Sequence, residues 1–201
     1  MKLLKIRYNA PVVLTFSLIC TAVYIINYIF GGDFEKNPNG LIGQFFVLDG
    51  QWHWTDWRNY IRIFTYTLGH ANTEHIVGNL SIFLLIAPIM EEKYGSRNIL
   101  TMMITTAIVT AIFQVLLFST GLLGASGLVF MFIVLVSFAD VKEGTIPLTF
   151  ILVVVFFIGK ELMSSMGKDQ VSQYAHIAGG ILGGVFGFAA QRLKIDSNSE
   201  K

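Results

Sequence analysis

The sequence predicts an all-α polytopic membrane protein, one unit of six membrane-crossing helices, and three observations carry that prediction. Hydrophobic residues make up 54% of the 201 residues and charged residues only 13%, against roughly 25% charged in ordinary soluble domains. Mean hydropathy is +0.63. The apolar residues also gather into long runs, and a hydrocarbon layer ~30 Å thick takes about 20 residues of helix to cross. A net charge of +1 provides no basic field to gather nucleic acid. The single cysteine, Cys20, excludes an internal disulfide and reads as a small packing or lipid-facing residue.

Residues 1–10 carry Lys2, Lys5 and Arg7 without an acid and read as a short segment preceding the membrane domain. That domain is expected over 11–191, followed by a charged, frayed tail at 192–201. The first apolar run, 11–30, has no charge and no small-residue cleavage pattern at its end, so it reads as a retained span. The connection 31–57 is rich in Gly, Asn and Asp but also holds Phe45, Phe46, Trp52, Trp54 and Trp57. Indole rings favour the headgroup level, which places this loop in the membrane interface; a small extramembrane core of the same aromatics is compatible with that.

The next apolar stretch is interrupted by Arg62, His70, Glu74, His75 and Asn79, so the second span is expected from near His75 to Met90, with Pro88 in its last turn. Residues 91–97 read as a charged turn, 98–120 as the third span and 126–139 as a shorter fourth. A second charged turn at 140–144 leads to Pro147, a residue suited to a first helical turn, and to a fifth span at 146–163. The polar stretch 164–172 reads as a loop and 173–191 as the sixth span. No internal repeat or domain boundary is evident.

Six crossings put both termini on one side. That side receives Lys2, Lys5, Arg7, Lys93, Arg97, Lys142, Arg192, Lys194 and Lys201; the other receives Lys36, Arg58, Arg62, Lys160 and Lys168. The bias places the termini in the cytoplasm. The aromatic loop, the stretch around Ser126 and the loop before His176 then face outward.

Gly124-Ala125-Ser126-Gly127 stands between two apolar runs. Small residues at the mouth of a membrane helix usually serve close packing. His176 and Asn79, in two other runs, shift the weight, because polar and ionisable groups at membrane depth are costly and mark function. A serine hydroxyl is a weak nucleophile that needs an adjacent base. His176 opens a ladder of Gly179, Gly183 and Gly187, with Gly180 and Gly184 on the same step of four. Such a face suits tight contact with a neighbouring helix, and the fourth span is the natural partner, which would bring the imidazole to Ser126. His75 and Asn79 are four apart and share one helix face. Each alone is more simply a bridge between helices, yet both are also donors for an oxyanion, beside the free N–H groups of the helix that Ser126 begins. Gly124 leaves its backbone approachable.

Glu161 and Asp169 are the carboxylates nearest His176 in sequence and neither is placed to orient its ring, so a Ser–His pair is expected rather than a triad. His70, Glu74 and His75 cluster, but position 78 is Gly, and His-Glu-x-x-His is absent; no metal and no cofactor are expected.

These residues match a family pattern. His70-Ala-Asn-Thr-Glu-His75-Ile-Val-Gly-Asn79, Gly124-Ala125-Ser126-Gly127 and His176-Ile-Ala-Gly179-Gly-Ile-Leu-Gly183 resemble the H-x4-H-x3-N, G-x-S-G and H-x-x-G-x-x-x-G motifs of rhomboid intramembrane serine proteases. The resemblance covers nearly the whole chain as a six-span core. It implies Ser126 as nucleophile and His176 as general base, with His75, Asn79 and the Ser126 N–H as the oxyanion site. Glu91 to Gly95 resembles the family's structural E-x3-G turn, and Phe130 stands where members carry an aromatic against the catalytic histidine. The family's Trp-Arg pair is altered: Arg62 matches, but Ile61 takes the tryptophan position and Trp57-Arg58 is off register. That departure concerns the packing of the first loop.

The implied substrates are single-span membrane proteins cut within or beside their spans, with water arriving from outside and substrate entering sideways from lipid, past 146–163 and 164–172. A rhomboid-fold pseudoprotease that holds transmembrane clients without cutting is the alternative, and would be expected to lack Ser126 or His176. A channel or transporter predicts more intramembrane charge and broken helix pairs. With no import sequence evident, a bacterial plasma membrane is the expected home.

Overall fold

The computed structural model describes residues 7–32, 34–138, 148–149, 151–152, 155–156 and 170–199, with side chains over 174–190 in the last stretch. The basic start at Lys2 and Lys5, the turn at 140–144, most of the expected fifth span and the loop at 164–169 lie outside the described residues. The described part is mainly helical: α1 (Pro11–Gly31), α2 (Leu41–Phe45), α3 (Trp57–Thr65), a 3₁₀ turn (Tyr66–Leu68), α4 (Thr73–Tyr94), α5 (Ser96–Leu117), α6 (Ser126–Ser137) and α7 (Gln170–Ser199). By length and composition α1, α4 and α5 suffice to cross a membrane, while α6 and residues 174–190 of α7 are shorter apolar helices.

The starts of α1 and α5 and the end of α4 have identifiable causes. Pro11 opens α1 at a position where its missing N–H is no loss. The next two N–H groups, of Val12 and Val13, donate to the two oxygens of Glu91 at 3.0 and 2.9 Å. Glu91 is 3% exposed, and Ser96 Oγ donates to the same carboxylate at 2.6 Å. One carboxylate at the end of α4 therefore caps α1 and ties down the start of α5.

Residues 91–97 do not form the extended charged turn that their composition predicts. α4 runs on through Tyr94 and α5 starts at Ser96, because Gly95, at φ +82°, reverses the chain in a single residue. Pro88 accordingly sits inside α4 and not in its last turn. The 31–57 connection is also more ordered than a loop: α2 lies within it, and Ile42 and Leu48 are fully buried. At the other end, the backbone of α7 continues to Ser199 where a frayed tail was expected from 192. No Gly or Pro after Gly187 stops it.

α6 lies at the centre. It is apolar on every face, and a helix of that kind is buried on every side: Gly127, Leu128, Val129, Met131, Phe132, Val134 and Leu135 are all buried. Phe132 meets Phe83 of α4 edge-on, with ring centroids 5.4 Å apart, and Leu135 joins Val13, Met90 and Ile99 in one cluster. The outward faces of α1, α4 and α5 expose Phe30, Leu85 and Leu116, a stable arrangement only against lipid.

α7 packs along α6 through its glycines. A Cβ at Gly179 would land on the Gly127 carbonyl oxygen, one at Gly183 on the Met131 carbonyl oxygen, and one at Gly187 2.7 Å from the Phe138 ring. The small face of α7 is thus turned toward the fourth apolar run.

Replacing Glu91 by Ala strands two N–H groups of α1 that are otherwise paired. Each unsatisfied group costs about 1–3 kcal/mol, so E91A should unfold at clearly lower temperature or denaturant than the parent protein in the same detergent, with E91Q between the two.

Candidate active site

The site forms at the end of the bundle where α4, α6 and the described part of α7 all begin. At α4, Asn72 is the N-cap: its Oδ1 accepts the His75 N–H at 2.9 Å. Its Nδ2 donates to Glu35 at 2.6 Å. The Phe34 N–H reaches the Ala71 carbonyl at 3.1 Å, and Tyr24 Oη lies 2.7 Å from Thr73 Oγ1. The end of α1 and the loop after it thereby hold the first turn of α4, which fixes His75 and Asn79 about 3 and 9 Å along the helix axis.

The first loop is held by buried polar groups. Arg62, 9% exposed, donates to the Gln44 carbonyl at 2.7 and 3.0 Å, to the Gly43 carbonyl at 3.3 Å and to Asn59 Oδ1 at 3.0 Å. α3 thus turns Asn59 and Arg62 inward, while Trp57, Ile61 and Phe64 are exposed on its outer side. Ile61 therefore faces outward and takes no part in the Arg62 contacts. Trp57 leans on Phe45, with centroids 6.2 Å apart, and Arg58 pairs with Asp56 at 2.9 Å.

The same loop sets the start of α6. Leu48 and Leu122 exchange both backbone hydrogen bonds, at 2.9 and 2.8 Å, the Gly50 N–H donates to the Thr120 carbonyl at 3.1 Å, and the Gly124 N–H to the Tyr66 carbonyl at 2.8 Å. Gly124 has φ +114°, where a side chain would be strained, and a Cβ on it would come within 2.7 Å of the His75 ring and 3.6 Å of Asn79 Nδ2. Both requirements select glycine. Two residues on, Ser126 is the first residue of α6. The first bond of that helix runs from the Val129 N–H to the Ala125 carbonyl at 3.0 Å, so the N–H groups of 126–128 precede its ladder.

His176 reaches the same place along α7. A Cβ at Gly127 would sit 3.2 Å from the Ala175 carbonyl oxygen, which puts the residue after Ser126 against the residue before His176. The His176 ring stacks on Phe130, with centroids 4.3 Å apart and planes at 41°. Ser126, His176, His75, Asn79 and Phe130 all line one open cavity of about 570 Å³.

The histidines of α4's entrance have different surroundings. The Ala71 N–H lies 3.4 Å from His75 Nδ1, a contact that suits Nδ1 as acceptor and Nε2 as donor, and the Cε1–Nε2 edge of the ring is the one turned to Gly124. His70 is wholly buried behind it, its ring edge-on to His75 at 5.1 Å, with Nδ1 3.3 Å from the Leu68 carbonyl. Burial, and then the neighbouring His75, push its pKa down to about 4, against the hydrogen bond to Leu68. His70 supports His75 and does not line the cavity; Arg62 and Glu91 also lie away from it. Among the described residues no three of His, Cys, Asp and Glu come together to hold a metal.

The cavity also contains residues that the sequence reading did not single out: Glu35, Asn72 and, as a wall residue, Glu74. Asn72 was legible, since an Asn immediately before Thr-Glu-His and an apolar run is an N-cap signature. Glu35 had no local signal, because its partner is 37 residues away.

Two outcomes follow. Gly179→Val should part α6 from α7 and abolish stable folding, whereas substitution of the exposed Ile181 on the same helix should be tolerated, as read by detergent stability and gel filtration. For His70, the folded pKa lies below the free value of 6.5. Above pH 6.5 the ring is neutral in both states and the fold is unpenalised. As pH falls from 6.5 to about 4 the unfolded chain binds a proton that the folded chain refuses, so stability falls. Denaturant midpoints across that window should slope less in H70N than in the parent.

Comparison with known proteins agrees with this architecture. The chain is 26% identical over 139 residues to rhomboid protease GlpG of Haemophilus influenzae, covering 68% of this chain and 72% of that protein. The Rhomboid domain family model matches residues 57–192, the stretch that holds α3 to α6, the cavity's serine and histidines, and the glycine ladder of α7. On that match, which spans well over half of the chain, this membrane protein belongs to the rhomboid family of intramembrane proteases.

Proposed function

We propose that this protein is a serine endopeptidase that cuts single-span membrane proteins within or next to their transmembrane segments, with Ser126 and His176 as its catalytic pair. The observation that carries the reading is the shared cavity: a hydroxyl, an imidazole on a separate helix and two side-chain donors, His75 and Asn79, line one hollow. In this mechanism His176 takes the Ser126 proton as Oγ attacks the scissile carbonyl. The oxygen of the tetrahedral intermediate becomes negative and is met by the Ser126 N–H, by the Nε2–H of His75 and by the Asn79 amide, with the start of α6 adding its dipole. His176 returns the proton to the leaving amine. Water then enters and attacks the acyl carbon as it gives a proton to His176; the bond to Ser126 Oγ breaks, His176 returns that proton to Oγ, and the acid leaves. Phe130 holds the imidazole plane by stacking.

No carboxylate is needed to orient the ring in this scheme, and Glu35 and Glu74, the acids of the cavity, serve another purpose considered below. Both termini are placed in the cytoplasm on the lysine and arginine bias, so that the cavity faces outward, and substrate is taken to enter from lipid past the fifth span. The presence of both Ser126 and His176 argues against a client-binding pseudoprotease.

The test is cleavage of a model transmembrane substrate by purified protein. Ser126→Ala and His176→Ala should each lose at least ~10³-fold in rate, and Asn79→Ala about 10²-fold. A fluorophosphonate should label the parent protein and not S126A. Unchanged cleavage by S126A would end the assignment.

A further inference from the structure

We infer that the substrates this site favours carry a lysine or arginine in the short segment leading from the scissile bond to the mouth of the cavity, where Glu35 and Glu74 receive it; this rests on the proteolytic reading above. Glu35 comes from the loop after α1 and Glu74 from the first turn of α4; both line the cavity, and Glu35 accepts from Asn72, two residues before Glu74. Histidines aside, they are the charged residues among those lining the cavity, and both are exposed to the space it encloses. Among the described residues, no lysine or arginine lines the cavity.

The floor independently marks a ligand position. Asn79 is only 9% exposed, and its Nδ2 has no hydrogen-bond partner among the described residues. That atom faces the space beside Gly124, at 3.6 Å from where a Cβ would stand. A buried amide N–H₂ without an acceptor is costly unless an acceptor arrives, and an incoming carbonyl oxygen is such an acceptor. The floor therefore takes the reacting carbonyl and the rim meets what lies beyond it.

The spacing gives the register. Glu74 and Asn79 are five residues apart on α4, an axial rise of about 7.5 Å. An extended peptide advances ~3.3 Å per residue, so a side chain about two residues outward from the scissile bond lies level with the carboxylates. A cation there gains two opposite charges, and an acid meets two like charges. Because the rim is exposed, the effect is modest and screened by salt. Glu35 also accepts from Asn72, so its glutamine variant keeps that bond and removes the charge alone.

The experiment uses the full chain in detergent and a set of model transmembrane substrates that differ in one residue, Lys, Gln or Glu, moved stepwise through the outward segment. Expected is the order Lys over Gln over Glu in kcat/KM, greatest about two residues from the cut, with a Lys-to-Glu ratio of roughly tenfold at low salt. The ratio should reside in KM and shrink in about 0.5 M salt. In the double variant Glu35→Gln, Glu74→Gln it should fall to within about twofold of unity. Equal rates for Lys and Glu substrates, or a lysine preference that survives the double variant, would overturn the inference. Binding of the same set to S126A by fluorescence reads the charge preference without cleavage. Loss of all cleavage with a lysine preference in binding would sink the proteolytic reading alone, and no preference in binding would sink this one.

Discussion

The closeness of α6 and α7 is the constraint on which the rest depends. Ser126 and His176 belong to different helices, and a dyad requires their polar atoms to come within hydrogen-bond reach. Two helices with ordinary side chains between them lie 8–10 Å apart. Here Gly179 and Gly183 lie against carbonyl oxygens of the neighbouring helix, at Gly127 and Met131. In lipid there is no hydrophobic drive to press two apolar helices together, so close van der Waals contact between small residues supplies much of the attraction. The glycines lower the separation and strengthen the contact at once.

That contact holds one wall of the cavity, and hydrogen bonds between loops and helix starts hold the other. Asn72 caps α4, the Glu35 carboxylate holds Asn72, and Gly124 is pinned to the Tyr66 carbonyl while its bare Cα lies against His75. The first loop is thereby a structural part of the site. Its buried Arg62 satisfies carbonyls of α2 that would otherwise be stranded, and its outer face is left to Trp57, Ile61 and Phe64. Such a face suits the interfacial zone of a bilayer. Glu91 performs a similar task at the far end, where α1 would otherwise begin with unpaired N–H groups.

Among the described residues, two groups of polar side chains organise the molecule. One is a set of buried groups, Arg62, Asn59, Asn27 and Glu91, that complete backbone hydrogen bonds where helices begin or end. The other is the cavity, where Asn79 Nδ2 is left unpartnered among the described residues and the rim carries two carboxylates. The first set lowers the cost of placing chain ends at membrane depth. The second keeps capacity to bind, and on the proposed reading it is where a substrate carbonyl and a substrate cation would be received.

Much was determined by the sequence alone. The low charge content and apolar runs specify a helical membrane bundle, because backbone groups in lipid must pair within their own segment. The spacings His75 to Asn79 and Gly179 to Gly183 state which residues share a face, since helical periodicity is a property of the local chain. Local signals failed where the partner is distant. Residues 91–97 look like a charged loop, yet Glu91 is buried because it caps a helix that begins at residue 11. Residues 31–57 look irregular, yet Arg62 and a backbone pairing between Leu48 and Leu122 organise them. Glu35 has no signature, because its place on the cavity rim arises from contacts across tens of residues. Composition and period settle what each segment is. Only packing in three dimensions decides which segment satisfies another's hydrogen bonds, and therefore which charges border the cavity.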